Sequence, residues 1–170
     1  MDFQVIDVST GKVSYCDIYS LSQNLSVNCE ILRRTSTGHE AIGFVTYEVL
    51  RSFVVHFAQS VYERTMIKDK MILAAIDGMN KFLKNQITHS EMQKLFDNAQ
   101  QAALDVTFIG NSSINVIATN NVVLAAASCA NTLGIIDQLP SYALSAIDSE
   151  NKDAEKKAQG TFILQYFDAL

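Results

Sequence analysis

The chain has no run of lysine or arginine, no CxxC pair, no HExxH, no GxSxG and no glycine-rich phosphate loop. Each absence closes off a class of function. With no basic run and a formal net charge of −5, non-specific attraction to nucleic acid is disfavoured. Aromatic residues are not interleaved with basic ones, so no nucleic-acid groove is expected. The seven glycines stand apart, which removes the phosphate-cradling motifs. Cys16, Cys29 and Cys129 make an odd number without metal-ligand spacing, as suits a reducing cytoplasm. The opening MDFQVIDVST lacks the basic region and apolar segment of a signal peptide. A cytoplasmic protein with no cofactor and no bound metal is expected.

Charge is also missing locally. No Asp, Glu, Lys or Arg occurs between Val106 and Ile136. A transmembrane helix needs roughly 20 mostly apolar residues, and Ile114 to Ile136 is long enough. It carries Asn115, Asn120, Asn121 and Asn131, and an unpartnered amide in hydrocarbon costs on the order of several kcal/mol. No basic cluster sets an orientation at either flank. The segment therefore reads as a buried, alanine-rich core helix, with Asn120, Ser128 and Asn131 on a polar stripe that could line a small-molecule pocket.

What is present is mostly helical periodicity. FQVIDV and VSYCDIY flank Ser9-Thr10-Gly11-Lys12 and read as a β-hairpin over residues 1–20. A lone hairpin is marginal in water, so it must cover the core or offer an edge to a partner. Residues 20–38 fit either a short helix from Ser22 or an extended segment, with Arg33 and Arg34 at a solvated turn. From Glu40, the spacing of Ile42, Val45, Val49, Phe53, Phe57 and Val61 predicts a helix, with Thr37 as its cap and His56 on its apolar face. A second helix is expected from about Met66 to Lys84. Gly78 inside it costs about 1 kcal/mol against Ala, which a close helix contact would explain. Thr88-His89-Ser90-Glu91 is a capping box opening a third helix through Met92, Leu95, Phe96 and Ala99. Pro140, the only proline, fits the first turn of a short helix. Ser149 starts a last helix, with Glu155 among its solvated first turns and Gly160 a possible bend. The expected fold is thus mainly α. About five or six helices surround the alanine-rich helix, in a single domain over residues 1–170 with the hairpin appended to a helical core at 40–170.

The segment from Val61 to Val106, followed by the alanine-rich uncharged helix, resembles bacterial all-helical immunity proteins of polymorphic toxin systems. The resemblance covers about residues 50–135. The chain departs from that family in having Arg64-Thr65-Met66-Ile67-Lys68-Asp69-Lys70 where an Arg-Pro-Arg type element is expected, and in having no tryptophan. The resemblance implies a non-enzymatic protein that binds and neutralises a partner protein, a toxin or other effector. The acids Glu63, Asp69 and Asp77 are the contacts to look to, although such residues more often form a solvated face. His39 with Glu40, and Glu63 with Asp69, are the only acid–base pairings to imagine, and residues of these types meet by chance in most domains. The rival readings are a homo-oligomer built through uncharged helices and a small-molecule-binding bundle. No membrane role is expected.

Overall fold

The computed structural model describes residues 1–64, 69–108, 144 and 149–170. Four strands come first: β1 (Phe3–Asp7), β2 (Val13–Cys16), β3 (Cys29–Thr35) and β4 (Gly38–Val45). A single 3-10 turn, Leu21–Asn24, lies between β2 and β3. Helices α1 (Tyr47–Arg64), α2 (Lys70–Leu83), α3 (His89–Phe108) and α4 (Ser149–Asp168) follow. The strands form one antiparallel sheet in the order β2-β1-β3-β4.

The loop of the first hairpin is shaped by Asp7. Its carboxylate accepts the backbone N–H groups of Ser9 and Thr10, both at 2.9 Å, and Gly11 takes φ +71°. That is the left-handed conformation glycine adopts at no steric cost. The hairpin does not stand apart, because β1 also pairs with β3 from Phe3↔Arg33 to Asp7↔Cys29.

Side chains alternate across a strand, so one face of the sheet holds Phe3, Val5, Cys16, Cys29, Ile31 and Val45, all buried. Helices α1 and α4 meet the sheet at β4, and the 3-10 turn packs between β2 and α4. Phe53 of α1 is the centre of the contact. Its ring meets Tyr166 at 5.0 Å, Phe162 at 5.8 Å and Phe167 at 6.0 Å, all near perpendicular, and Phe57 at 6.4 Å. Burying each such ring contributes about 1.5–3 kcal/mol, with the edge-to-face geometry adding to it. Two glycines let the layers close. A side chain at Gly43 would overlap the ring of Phe167, and one at Gly160 would overlap the backbone carbonyl of Ile18. Gly160 is thus a point of close approach between α4 and the segment after β2, rather than a bend.

Helix α2 is started by Asp69, whose carboxylate accepts from Met71 N (2.7 Å) and Ile72 N (3.3 Å). It packs on α1 and on α3. The capping box of α3 forms as spaced: Glu91 accepts from Thr88 N at 2.7 Å, and Thr88 Oγ1 accepts from Glu91 N at 3.3 Å. Gly78 is buried against Leu95, the close helix contact its place in α2 called for.

The expectation of a mainly helical bundle is corrected. Four helices and a four-stranded antiparallel sheet make a mixed α/β fold among the described residues. The error arises at residues 28–46. Ile42, Val45 and Val49 fit helical spacing, but Gly38 and Gly43 would each cost a helix about 1 kcal/mol. Pairing of this segment with β3 satisfies its backbone instead. The helix cap is Thr46, whose Oγ1 accepts from Val49 N at 3.3 Å, not Thr37. Arg33 and Arg34 lie within β3 rather than at a turn. The alanine-rich helix expected at 114–136, its polar stripe at Asn120, Ser128 and Asn131, and Cys129 fall outside the described residues, and of the short helix expected after Pro140 only Leu144, which is buried, is described.

Candidate protein-interaction face

The register of the sheet assigns its outer face. Residues directly opposite each other share a face. One cross-strand row runs Val13–Ile6–Glu30–Phe44 and the next runs Tyr15–Gln4–Leu32–Ala41. A bulge between Ile31 and Leu32 separates the two rows on β4. An antiparallel sheet with helices on one face ordinarily turns polar residues to water on the other. Here five of the eight side chains in the two rows are large and apolar. Tyr15 is 61% exposed, Phe44 43% and Val13 41%, while Ile6 and Leu32 are half-buried. Contiguous open apolar surface of this kind marks interaction sites, whereas single exposed hydrophobics do not.

Charge on this face is sparse and placed. Glu30 stands between Ile6 and Phe44 in the first row. At the far end Arg34 pairs with His39 across β3 and β4. Beside them a cavity of about 530 Å³ is lined by Met1, Phe3, Tyr15, Arg34 and His39. The face thus offers a central apolar strip, one acid within it, and a basic end with a hollow. The sheet edges are β2, four residues long, and β4, eight residues long with a bulge. A short strand and a bulge both blunt edge-to-edge pairing, which leaves the face as the more usable surface.

A second polar constellation lies inside. Glu155 of α4 is fully buried. Its Oε2 accepts from Ser60 Oγ (2.9 Å) and pairs with Arg64 Nε (2.6 Å), and its Oε1 accepts from Gln159 Nε2 (3.1 Å). Gln159, also buried, accepts in turn from Ser22 Oγ at 2.8 Å. The chain Arg64–Glu155–Gln159–Ser22 therefore ties α1, α4 and the 3-10 turn together. This corrects the expectation that Glu155 belongs to a solvated turn. Its charge is buried because Arg64, itself 39% exposed, carries the pair to solvent. Both oxygens of the Glu155 carboxylate are engaged, so the arrangement suits holding helices more than moving protons. Nearby, the His56 ring stacks on Phe162 at 3.5 Å. Desolvation holds its pKa below the usual value, against the opposing pull of Glu155 and Glu63.

Of the acids singled out in the sequence, Glu63 lies on α1, Asp69 caps α2 and Asp77 lies on α2. Glu63 is exposed on α1 and accepts from Gln59 Nε2 at 2.8 Å. Asp77 is exposed on α2. Asp69 is spent on capping α2, and its backbone carbonyl accepts from Tyr62 Oη at 3.1 Å. The carboxylates of Asp69 and Asp77 both push the Tyr62 phenol up, after desolvation. His39 and Glu40, neighbours on β4, face opposite sides of the sheet: His39 sits across from Arg34, and Glu40 from Arg33, with 4.0 Å between the charged groups. Among the described residues no group of three or more His, Cys, Asp or Glu is placed to hold a metal ion, and no helix is long and apolar enough to cross a membrane. Cys16 and Cys29 are buried free thiols; burial pushes Cys16 up to about 11 and Cys29 above its ordinary value. Neither is poised as a nucleophile at neutral pH.

No protein family, curated protein or solved structure matches the chain. The outer face was not found from sequence because β3 and β4 were not, although the hairpin of β1 and β2 was. The signal was there in CEILRRT, where Cys29 and Ile31 alternate with Glu30 and Leu32.

Proposed function

We propose that this chain is a non-enzymatic, cytoplasmic protein-binding module that occupies and thereby neutralises a partner protein. The observation that carries the reading is the open apolar strip of the outer sheet face, Val13–Ile6 and Phe44 in one row and Tyr15–Leu32 in the next. Leaving such a strip in water has no stabilising role for the isolated fold, and covering it with a partner recovers about 25 cal/mol per Å² of apolar area. The partner surface that fits has an apolar centre, a basic group to meet Glu30, and an acidic group for the Arg34 end. The immunity-protein resemblance supports the same class of action, inhibition by occupation.

The test is site-specific photocrosslinking from positions 15 and 44 in cells that encode the chain, followed by identification of the trapped protein and an assay of that protein's activity with and without the chain. One partner captured from both positions, and inhibited by the chain, supports the reading. Capture of a second copy of the chain, with a dimer in light scattering, would replace it with self-association through the same face.

A further inference from the structure

The outer sheet face carries one charge in the middle of its apolar strip. Glu30 has Ile6 on one side and Phe44 on the other, with Val13 beyond Ile6. It is half-buried, and among the described residues it forms no ion pair and no side-chain hydrogen bond. The adjoining rows supply no cation. Tyr15, Gln4, Leu32 and Ala41 lie to one side, and Val8 and Asn28, joined by a backbone bond of 3.0 Å, lie to the other. Arg34 stands four residues on along β3, on the order of 13 Å away. Arg33 is on the opposite face of the sheet, where it meets Glu40 at 4.0 Å.

A surface that covers Val13, Ile6 and Phe44 must also cover this carboxylate. Taking an ionised carboxylate out of water is costly unless a cation meets it. A second copy of the chain brings none. Two-fold pairing sets the same patch on both subunits, so two carboxylates are covered and the three rows hold no basic residue for either. A copy displaced to bring its Arg34 over Glu30 lays Ile6 and Phe44 on the row of Asp2 and His39, and so gives up the apolar match. A different protein has no such restriction. A lysine or arginine placed over Glu30 makes a charge-assisted hydrogen bond inside an apolar surround. We propose that Glu30 sets the specificity of the outer face: it bars a second copy and admits a protein partner that carries a Lys or Arg side chain in the middle of its own apolar patch. This rests on the reading that the face receives a partner, and it names what that partner must carry.

The experiment needs only the purified chain. Sedimentation equilibrium from micromolar to millimolar protein measures self-association, and circular dichroism with thermal unfolding shows that each variant is folded. Wild type is expected to stay monomeric. Glu30→Leu should self-associate at least about a hundredfold more tightly than the limit set for wild type, with Glu30→Gln between the two. Adding Phe44→Glu to Glu30→Leu should restore the monomer. Glu30→Lys should be monomeric alone and should form a mixed dimer with wild type, because one copy then brings the cation to Glu30 of the other. A wild type that dimerises, Glu30→Leu and Glu30→Gln that both stay monomeric, Glu30→Leu dimers that survive Phe44→Glu, or a mixture no more associated than its components would each overturn the proposal. Glu30→Gln and the mixture decide even if Glu30→Leu does not fold. A monomeric Glu30→Leu leaves trapping from positions 15 and 44 untouched, and a failure to trap any protein there leaves these measurements standing, so the two claims fail separately.

Discussion

Replacing Glu155 by alanine removes the acceptor on which three side chains converge. Gln159 is the most affected, because it is buried and its Nε2 loses its partner at 3.1 Å. An orphaned buried amide donor costs about 1–3 kcal/mol. Ser60 is partly buried and can turn its hydroxyl to a backbone carbonyl one turn back, so its loss is smaller. Arg64 is 39% exposed and can be rehydrated, so little of the 2.6 Å ion pair is lost as uncompensated charge. The missing methylenes add a transfer and cavity cost on the order of 1 kcal/mol. The sum is about 2–4 kcal/mol, a large share of a typical total of 5–15 kcal/mol. Glu155→Gln keeps the shape and an acceptor oxygen for Gln159, and should cost about 1–2 kcal/mol. Urea unfolding measures both, with an unchanged slope showing that the native and unfolded states have kept their compactness. A double cycle with Arg64→Ala should show coupling, because the two side chains touch. If Glu155→Ala costs less than about 1 kcal/mol at constant slope, the network does not hold α1 to α4 and the reasoning fails.

Three other outcomes follow from the same geometry. Alanine at a helical glycine ordinarily gains about 1 kcal/mol, but Gly160→Ala must displace the Ile18 backbone and should destabilise by about 1–3 kcal/mol, whereas Gly78→Ala meets only the end of the Leu95 side chain and should cost less; thermal unfolding of the pair gives the order, and a stabilised Gly160→Ala would show that α4 does not seat on Ile18. Asp69→Ala should lose about 1 kcal/mol of stability through the α2 cap while Asp69→Asn loses little, a pattern that marks a cap rather than a partner contact. The folded pKa of His56 lies below its ordinary 6.5, so the unfolded chain takes up this proton first as pH falls. Its contribution is therefore full above about 6.5 and is lost as pH drops below that towards the folded value; urea midpoints at neutral and mildly acidic pH should fall more steeply for wild type than for His56→Asn, and equal slopes would remove the argument.

The helical half was legible where side-chain chemistry is local. The Thr88–Glu91 box, the apolar face Ile72–Ala75–Ile76–Met79 of α2 and the hairpin loop at Gly11 depend on residues within a few positions of one another. The sheet was half legible. β3 and β4 depend on pairing between Cys29–Thr35 and Gly38–Val45 and with β1 more than 20 residues earlier, and short stretches with apolar residues at mixed spacing satisfy a helix as well as a strand. The same limit hid Glu155. Lysines and acids surround it in sequence, and only the packing of α1 against α4 shows that Ser60, Arg64 and Gln159 close around it. The outer face could not be read before β3 and β4 were placed.

The claim at the centre of this account is that the outer sheet face receives a partner. Photocrosslinkers at Tyr15 and Phe44, compared with one at Asp77 on α2, test it most directly. One protein should be trapped from positions 15 and 44 and not from 77, and Tyr15→Glu with Phe44→Glu should abolish its co-purification with the chain at unchanged thermal stability. A partner trapped from position 77 alone, or co-purification that persists in the doubly substituted chain, would contradict the claim.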